Sequence, residues 1–416
     1  MKVTIKKVGC RIGCQIVFVF NLDNDDKRIS ISTNAGKQEI ALTDTTATFD
    51  IPFDICLPHP DLLALAALKI ISPYIGSHFE INFPISDYFA HVIKYCYPNI
   101  KTVKSAPVQS RIAPLPEKYA VSFSGGADSL AAANLCPPGT PLILLARKYH
   151  SKLGKFESWY RTDGNIETLM HMGDDFVKIP VLSDFEFLSV NKTKTYCVYP
   201  DNYAFTIPCI LLADHLNLSG ILTGDMIAAF SGDERAKFST ERFKKQQLLY
   251  LSVGLNIDSA VKGVTELGTE IINRYYKNSN NANTCQYGGF QKPCMHCVKC
   301  FRKSLIKAYL DGVTLDEKEL KEFNKSAAII NLSKKDSIPV PLTLKLITNS
   351  YNWQNYPILN VIKQKLQPYP IKSQLLQITM DPYENEILSP TIQYCLNNIK
   401  RIFKERGEFH LKDIGL

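Results

Sequence analysis

The stretch Tyr119-Ala-Val-Ser-Phe-Ser-Gly-Gly-Ala-Asp-Ser-Leu-Ala-Ala-Ala133 joins a short β-prone run to an alanine-rich segment through a turn of small residues. Residues 119–123 are mostly apolar, which is typical of a buried parallel strand. Residues 127–133 have the composition of a helix start, with Asp128 in the first turn. Glycines let a backbone approach a ligand closely, and the free N–H groups of a first helical turn point at it. The stretch therefore predicts an anion site between a strand and a helix.

Polar side chains in the same turn extend this prediction. Ser124 and Ser129 add hydroxyl donors, and Asp128 can hold a hydrated Mg²⁺. The alternative is an ordinary turn with an Asp cap, because Ser, Gly and Asp favour turns and caps in any case. The sequence here lacks the pattern G-x-x-x-x-G-K-[ST], so this segment is not a Walker-type phosphate loop.

The Ser-Gly-Gly-x-Asp-Ser signature at 124–129 resembles the loop of the PP-loop ATP pyrophosphatases. In that family the loop grips the pyrophosphate half of ATP, and a substrate is adenylated with release of pyrophosphate. The resemblance implies ATP and Mg²⁺ as cofactors, with Asp128, Ser124 and Ser129 as catalytic residues. The ATP-binding residues expected around the loop are Ser122, Ser124, Gly125, Gly126, Ala127, Asp128 and Ser129.

The composition is that of an ordinary globular protein. The 416 residues are 45% hydrophobic and 21% charged, with 48 Lys and Arg against 40 Asp and Glu. The net charge of +8 suits an anionic substrate such as ATP, but does not by itself indicate nucleic acid. No apolar run approaches the length of a membrane span, and the first residues lack a secretory segment. Because the 12 cysteines are unevenly spaced, we expect reduced thiols and a cytoplasmic protein.

The length favours two or three domains. Residues 1–105 combine alternating strand patterns with helical runs, which predicts an N-terminal α+β module for substrate docking or partner binding. Residues 106–116 are polar and interrupted by prolines, which indicates a linker. Residues 117–310 are the predicted nucleotide domain with its cysteine site, and residues 311–416 are expected to be mostly helical.

Apolar runs and helical runs alternate after the loop. Pro141-Leu-Ile-Leu-Leu-Ala146 and Gly220-Ile-Leu-Thr223 are typical of strands, with helical spacing between them. Such alternation predicts an α/β fold, a parallel sheet with helices on both faces. Ligands bind past the carboxyl ends of the strands in such sheets. The candidates at these ends are Arg147, Pro200 and Asn202 for the substrate, and Gly224 and Asp225 for ATP.

A late cysteine cluster is the second strong pattern. Cys285 precedes the run Cys294-Met-His-Cys297-Val-Lys-Cys300. This spacing brings three thiolates within reach of one ion, and Cys285 can close a tetrahedron from an upstream loop. Four thiolates predict a structural Zn²⁺ site without an open coordination position. An iron–sulfur cluster is an alternative, because ferredoxin-like runs share the spacing. Unliganded thiols are the other.

The loop and the cysteine pattern together resemble QueC, the family of 7-cyano-7-deazaguanine synthases. These enzymes use ATP to activate the carboxylate of 7-carboxy-7-deazaguanine and pass it to ammonia. The resemblance implies a fold of the HUP and PP-loop type, pyrophosphate at residues 124–129 and zinc at the four cysteines. Two departures stand out. Asp201 occupies a position where that family has Arg. Lys303 occupies a second such position, and Arg302 immediately precedes it.

The chain extends beyond the single QueC domain on both sides, and in this it is similar to QatC-type proteins of anti-phage operons. Those proteins are associated with attaching a deazaguanine to a protein partner. We therefore expect an adenylating enzyme that transfers a small-molecule carboxylate to an amine, with a protein partner as acceptor. A tRNA-modifying PP-loop enzyme, a muramyl-peptide epimerase and a non-catalytic assembly subunit are the alternatives. No membrane partner is expected, nucleic acid is disfavoured, and a homodimer is left open.

Overall fold

The computed structural model describes residues 1–26, 29–33, 36–42, 44–148, 162–187, 189–191, 196–197, 201–226, 241–285, 287–336, 338, 341–369 and 388–405. Within these ranges the chain is a mixed α/β structure with 14 strands and 13 α-helices.

The strands are short and are numbered in chain order. They are β1 (Lys2–Gly9), β2 (Cys14–Asn21), β3 (Ile29–Thr33), β4 (Gly36–Leu42), β5 (Thr46–Ile51), β6 (His78–Ile81), β7 (Thr102–Val103), β8 (Tyr119–Phe123), β9 (Pro141–Arg147), β10 (Val177–Ser183), β11 (Ser189–Asn191), β12 (Tyr196–Cys197), β13 (Gly220–Thr223) and β14 (Asn256–Ser259).

The α-helices concentrate after the last strand. They are α1 (Pro60–Ile71), α2 (Asp87–Cys96), α3 (Ala127–Leu135), α4 (Thr162–Met170), α5 (Ile207–Leu211), α6 (Glu241–Leu251), α7 (Glu266–Tyr275), α8 (Val298–Leu310), α9 (Glu317–Lys325), α10 (Ala327–Ser333), α11 (Pro341–Thr348), α12 (Pro357–Leu366) and α13 (Pro390–Glu405). In the part of the chain that the structure describes, no helix is both long and apolar enough to cross a membrane.

Five strands form the parallel half of a ten-stranded sheet, in the order β14-β13-β8-β9-β10. The first of these in the chain is β8. The next strands, β9 and β10, are added on one side of it, and β13 and β14 are added on the other. The winding direction therefore reverses between β8 and β13. Such a reversal opens a crevice at the carboxyl ends of the two strands, where ligands of open α/β sheets bind.

The sheet continues into the N-terminal region without a break. Strand β10 pairs with β5 in antiparallel fashion, and β2, β1, β6 and β7 follow in that order. The N-terminal α+β region thus shares its sheet with the predicted nucleotide domain. A smaller sheet has the order β12-β11-β4-β3. The predicted boundaries at residues 105, 116 and 310 stay predictions about folding units.

Apolar side chains cover both faces of the large sheet. Along β8, Ala120 belongs to one buried core, whereas its neighbours Tyr119 and Val121 belong to another. Successive side chains of a strand point to opposite faces, so the two cores lie on opposite sides of the sheet. Helices α1, α5 and α6 contribute to the first core, and α3, α7 and the C-terminal helices contribute to the second. The parallel sheet is therefore covered on both faces.

A buried arginine fixes the predicted linker to the parallel sheet. Arg111 forms an ion pair with Asp214 at 2.7 Å. Its guanidinium also donates hydrogen bonds to the carbonyl oxygens of Leu218, Val253 and Gly254 at 2.8–2.9 Å. A charged side chain is buried only where such partners replace water, so this linker segment is anchored at one defined place.

Candidate functional site

The Ser-Gly-Gly loop and the turn after β13 meet in one cavity of about 250 Å³. The cavity lies at the carboxyl ends of β8 and β13, which are paired neighbours. Its walls contain the predicted residues Ser122, Ser124, Gly126, Ala127, Asp128, Ser129, Gly224 and Asp225. Other parts of the chain contribute Phe205, Glu266, Asn283, Thr284, Arg302 and Lys303. Residues separated by about a hundred positions in the sequence are thus brought together at the point where the winding of the sheet reverses.

Backbone contacts fix the shape of the loop. Gly125 has a φ angle of +75°, a conformation that side chains with a Cβ rarely adopt. A Cβ at this position would lie 3.1 Å from Cα of Asn165. The carbonyl oxygen of Gly125 accepts a hydrogen bond from the backbone N–H of Asn283 at 2.8 Å. Asn283 in turn donates through Nδ2 to Oδ1 of Asn165 at 2.6 Å. The glycine is therefore required by both its dihedral angle and its close neighbours.

The two serines of the loop contact each other across the start of α3. The backbone N–H of Ser124 donates to Oγ of Ser129 at 3.1 Å, and the two hydroxyl oxygens are 2.9 Å apart. Gly126 is the N-cap residue of α3, and no side chain caps this helix end. The start of the helix thus faces the cavity without a capping side chain, an arrangement that favours an anion.

Gly224 holds the end of β13 against the start of α3. A Cβ at this position would lie 2.6 Å from the backbone nitrogen of Ser129, which leaves no room for any side chain. The next residue, Asp225, accepts a hydrogen bond at Oδ2 from the hydroxyl of Thr223 at 3.1 Å. Its carbonyl oxygen accepts another from Oγ of Ser259 at 2.7 Å. Both turns of the cavity are therefore packed directly against each other.

Asp128 is held in place by a threonine of α7. Oγ1 of Thr269 donates to Oδ1 of Asp128 at 2.9 Å. Burial raises the pKa of Asp128 above its ordinary value, and the charge of Glu266 acts in the same direction, while Lys303, Thr269 and Arg302 oppose the change. The ionised carboxylate is therefore less stable here than in water.

A buried carboxylate and two cations form the opposite wall. The side chain of Glu266 is 3% exposed, and Nη2 of Arg302 donates to its Oε1 at 2.6 Å. Nζ of Lys303 lies 3.5 Å from the same oxygen. Burial acts to raise the pKa of Glu266, but the two cations outweigh burial and lower it. The same two cations also act on Asp128, so two carboxylates and two cations meet in this part of the cavity.

The residues predicted to bind the substrate are Arg147, Pro200 and Asn202. Arg147, at the end of β9, forms an ion pair with the buried Glu186 and is not among the residues that line the cavity. Asn202 is exposed. Pro200 lies outside the described residues. The neighbouring Asp201, which occupies the position of an Arg in QueC, is buried and forms an ion pair with Lys69 of α1 at 3.6 Å. The departure from QueC is thus matched by a lysine from the N-terminal region.

Several wall residues were not predicted from the sequence. Glu266 is a wall residue on α7, and Thr269 of the same helix contacts the wall residue Asp128. Asn283 is also a wall residue, and Asn165 contacts it. None of these four residues belongs to a local motif. One feature of the sequence indicates the basic pair Arg302 and Lys303, namely that both closely follow Cys300, the last cysteine of the cluster.

The four cysteines lie close enough to bind one metal ion. Their sulfur atoms are all within 4.8 Å of one another, and Sγ of Cys294 is 3.8 Å from Sγ of Cys300. A tetrahedral zinc site with bonds of about 2.3 Å has sulfur–sulfur edges of about 3.8 Å, so the donor set fits this geometry. Cys285, Cys297 and Cys300 are buried.

Backbone donors surround the sulfur atoms. The N–H groups of Gly288 and Cys294 donate to Sγ of Cys285 at 3.1 and 3.2 Å. Hydrogen bonding with the Cys300 thiol, helped by the Cys300 backbone N–H, lowers the pKa of Cys297 to about 4 although burial opposes this. The same hydrogen bond raises the pKa of Cys300. Thiolates rather than thiols are metal ligands, and the backbone N–H donors favour the thiolate form of Cys285. Cys285 also lines the cavity, directly after Asn283 and Thr284.

Fold and site together define an α/β protein with a cavity at the start of a helix and a four-cysteine cluster at its wall. Residues 245–403 match the sequence model of a family described as a family of unknown function, DUF6395. The match covers less than half of the chain. It includes Glu266, Thr269, the four cysteines and the basic pair, whereas the Ser-Gly-Gly loop lies before it. No curated protein matches the chain significantly.

Proposed function

We propose that this chain is an ATP pyrophosphatase of the PP-loop type, with the HUP-type arrangement of the parallel sheet, that adenylates a carboxylic acid. The observation that carries the proposal is the single cavity that the Ser-Gly-Gly loop and Gly224–Asp225 share where the winding of the sheet reverses. A strand, a glycine turn and an uncapped helix start form an anion site on general physical grounds. The resemblance of the loop sequence to PP-loop enzymes makes ATP the preferred anion.

In this proposal the pyrophosphate half of ATP lies on the loop. Backbone N–H groups at the start of α3 and the hydroxyls of Ser124 and Ser129 donate hydrogen bonds to phosphate oxygens. Arg302 and Lys303 add positive charge from the opposite wall. Pyrophosphate is the leaving group, and donors fixed in position stabilise the charge that develops on it as the bond breaks.

Asp128 and Asp225 are the proposed Mg²⁺ residues. Both line the cavity, and carboxylate oxygens are preferred ligands of this ion. The raised pKa of Asp128 fits this role, because a divalent cation would stabilise the ionised form that burial disfavours. When bound, Mg²⁺ would neutralise phosphate charge and thereby ease attack by an anionic nucleophile.

The four cysteines are proposed to bind a structural zinc ion. Four thiolates leave no open coordination position, so the ion would not take part in the reaction. It would instead hold in place the segment that begins with Asn283, whose backbone N–H contacts Gly125 of the loop. The metal would thereby support the wall of the nucleotide cavity.

Adenylation makes a carboxylate reactive, because AMP is a much better leaving group than an oxide ion. An amine can then take the acyl group. By the resemblance to QueC, the proposed acid is 7-carboxy-7-deazaguanine or a close analogue. By the resemblance to QatC-type defence proteins, the proposed acceptor is an amine of a protein partner. A cytoplasmic location would keep the cysteines reduced for the metal.

The test is to incubate the full-length protein with Mg·ATP, 7-carboxy-7-deazaguanine and candidate amines, and to separate the nucleotide products by chromatography. The proposal predicts AMP and pyrophosphate in equal amounts, formed only when the acid is present, and their loss in Asp128→Ala. ADP and phosphate as products would contradict it. So would the absence of ATP turnover with every acid tested while the metal remains bound.

A further inference from the structure

A second cavity of about 680 Å³ adjoins the nucleotide cavity. The two share wall residues, among them Ala127, Asn283, Thr284 and Lys303. Its volume lies within the range of about 300–1,000 Å³ that is typical of small-molecule sites. Asn280 and Gln291 add amide groups to its lining, so it offers several hydrogen-bonding groups to a polar ligand.

The acidic residues of this larger cavity are already paired. Glu270 and Asp311 both contact Arg274, at 3.6 and 2.7 Å. Glu319 belongs to the capping box at the start of α9, where it contacts the backbone N–H of Asp316. None of the three carboxylates therefore needs a cation from a ligand.

The basic residues of the cavity have fewer partners among the described residues than the acidic ones. Lys292 and Lys307 form no ion pair with any residue in the described part of the chain. Nζ of Lys303 is buried and has no hydrogen-bond acceptor among the described residues. Its nearest carboxylate oxygen is Oε1 of Glu266, which already accepts a hydrogen bond from Arg302. Glu266 supplies countercharge to Lys303 but Nζ donates no hydrogen bond to it, and a buried donor without an acceptor is costly. A ligand oxygen that accepts a hydrogen bond from Nζ would therefore be favourable.

We propose that the larger cavity receives the carboxylic acid and that the Lys303 ammonium, at the wall between the cavities, contacts both reactants. The inference deepens the proposed function and rests on it. The acid is a small molecule with a polar ring or chain, because a cavity of about 680 Å³ cannot hold a folded macromolecule. Its carboxylate points to Lys303, and the α-phosphate of ATP approaches the same ammonium from the smaller cavity.

The proposed reaction at this wall involves no proton transfer. A carboxylate oxygen forms a bond to the α-phosphorus of ATP. The bond between that phosphorus and the oxygen that bridges to the β-phosphate breaks, and this oxygen leaves with its electron pair on pyrophosphate. Both reactants are anions and repel each other. Lys303 reduces this repulsion at the point of attack and therefore acts as a catalytic residue.

The test uses calorimetric titration of full-length variants with two probes, Mg·ATP alone and 7-carboxy-7-deazaguanine alone. Ser304 lines only the larger cavity, so Ser304→Leu should weaken binding of the acid about tenfold or more and leave binding of Mg·ATP unchanged. Lys303→Met should weaken both, and Lys303→Arg should partly restore them. Lys318→Met, an exposed lysine of α9 that lines neither cavity, is the control and should change neither.

Two outcomes would overturn the inference while leaving the nucleotide site intact. One is wild-type protein that binds Mg·ATP but not the acid, and the other is unchanged binding of the acid in Ser304→Leu. Failure of the wild-type protein to bind Mg·ATP would instead overturn the proposed function itself.

Discussion

Thr269 donates a hydrogen bond through Oγ1 to Oδ1 of Asp128 at 2.9 Å. This contact joins a part of the chain with a recognisable sequence motif to a part that matches a family model. Asp128 belongs to the Ser-Gly-Gly loop that the sequence singles out, whereas Thr269 lies in the region that matches a family of unknown function. The candidate site is therefore a joint product of the loop, of helix α7 and of the basic pair on α8.

Asp128→Asn should strongly lower activity and stabilise the fold. Burial raises the pKa of Asp128, so its ionised form is less favourable in the folded than in the unfolded chain. The stability that Asp128 contributes is fully present below the unfolded pKa of about 3.8 and is lost as the pH rises through the folded value. Asn keeps the acceptor for Thr269 without the charge. The variant should unfold at a higher temperature than the wild type at pH 7, and the difference should shrink as the pH falls.

Thermal unfolding at several pH values, without nucleotide or Mg²⁺, measures this difference. Pyrophosphate release should fall about a hundredfold or more, in line with the loss of a group that stabilises transition-state charge. If Asp128→Asn releases pyrophosphate at the wild-type rate, or unfolds at a lower temperature than the wild type at pH 7, Asp128 is not a buried metal-binding carboxylate.

Glu266→Gln should destabilise the protein by about 3–5 kcal/mol, because it removes the buried carboxylate that pairs with both Arg302 and Lys303. The two cations lower the pKa of Glu266. Its contribution is therefore present above the unfolded pKa and is lost as the pH falls through the folded value. Denaturant unfolding measures the change. Glu317→Gln is the control, since that exposed carboxylate pairs with Lys321 at 2.9 Å and should cost less than about 1 kcal/mol. Equal effects of the two substitutions would refute the buried cluster.

Gly224→Ala should weaken Mg·ATP binding about tenfold or more although no side chain of Gly224 could contact ATP. The added Cβ would lie 2.6 Å from the backbone nitrogen of Ser129, so the start of α3 must move. Overpacking of this kind costs about 1–3 kcal/mol. Gly173→Ala, where the structure has no neighbour within 4 Å, is the matched control and should bind normally. Normal binding by both variants would show that the turn and the helix start are not coupled.

Cys297→Ser should remove the bound metal and lower the free energy of unfolding by about 3 kcal/mol or more, since structural zinc contributes strongly to folding. Elemental analysis of the purified protein should find one zinc per chain in the wild type and in Cys56→Ser, which removes an exposed cysteine outside the cluster. If the analysis finds iron and the protein has a visible absorption band, the cysteines bind an iron–sulfur cluster and not zinc. Full metal retention by Cys297→Ser would contradict the four-cysteine site.

The parts of the site that could be predicted are those with short-range signals. Tyr119–Phe123 is a strand, the turn after it is tight, and Gly224 follows the neighbouring strand, as local composition indicates. The four cysteines are near each other as their spacing predicts. Each of these features depends on a few adjacent residues, so a single sequence contains enough information.

The parts that could not be predicted depend on contacts between distant residues. The pairing of β5 with β10 joins the N-terminal region to the parallel sheet, and nothing local in either strand specifies it. Glu266 becomes a wall residue, and Thr269 contacts Asp128, only because α7 packs against α3. Arg147 ends a strand as predicted, yet a buried Glu186 pairs with it there. Partner choice of this kind is decided by tertiary packing.

Calorimetric titration of the full-length, metal-bearing protein with Mg·ATP tests the central claim most directly. The account predicts one binding site per chain, competition by inorganic pyrophosphate, and loss of binding in Gly224→Ala but not in Gly173→Ala. Absence of binding, or binding that pyrophosphate does not displace, would contradict the claim that the loop at residues 124–129 holds the pyrophosphate half of ATP.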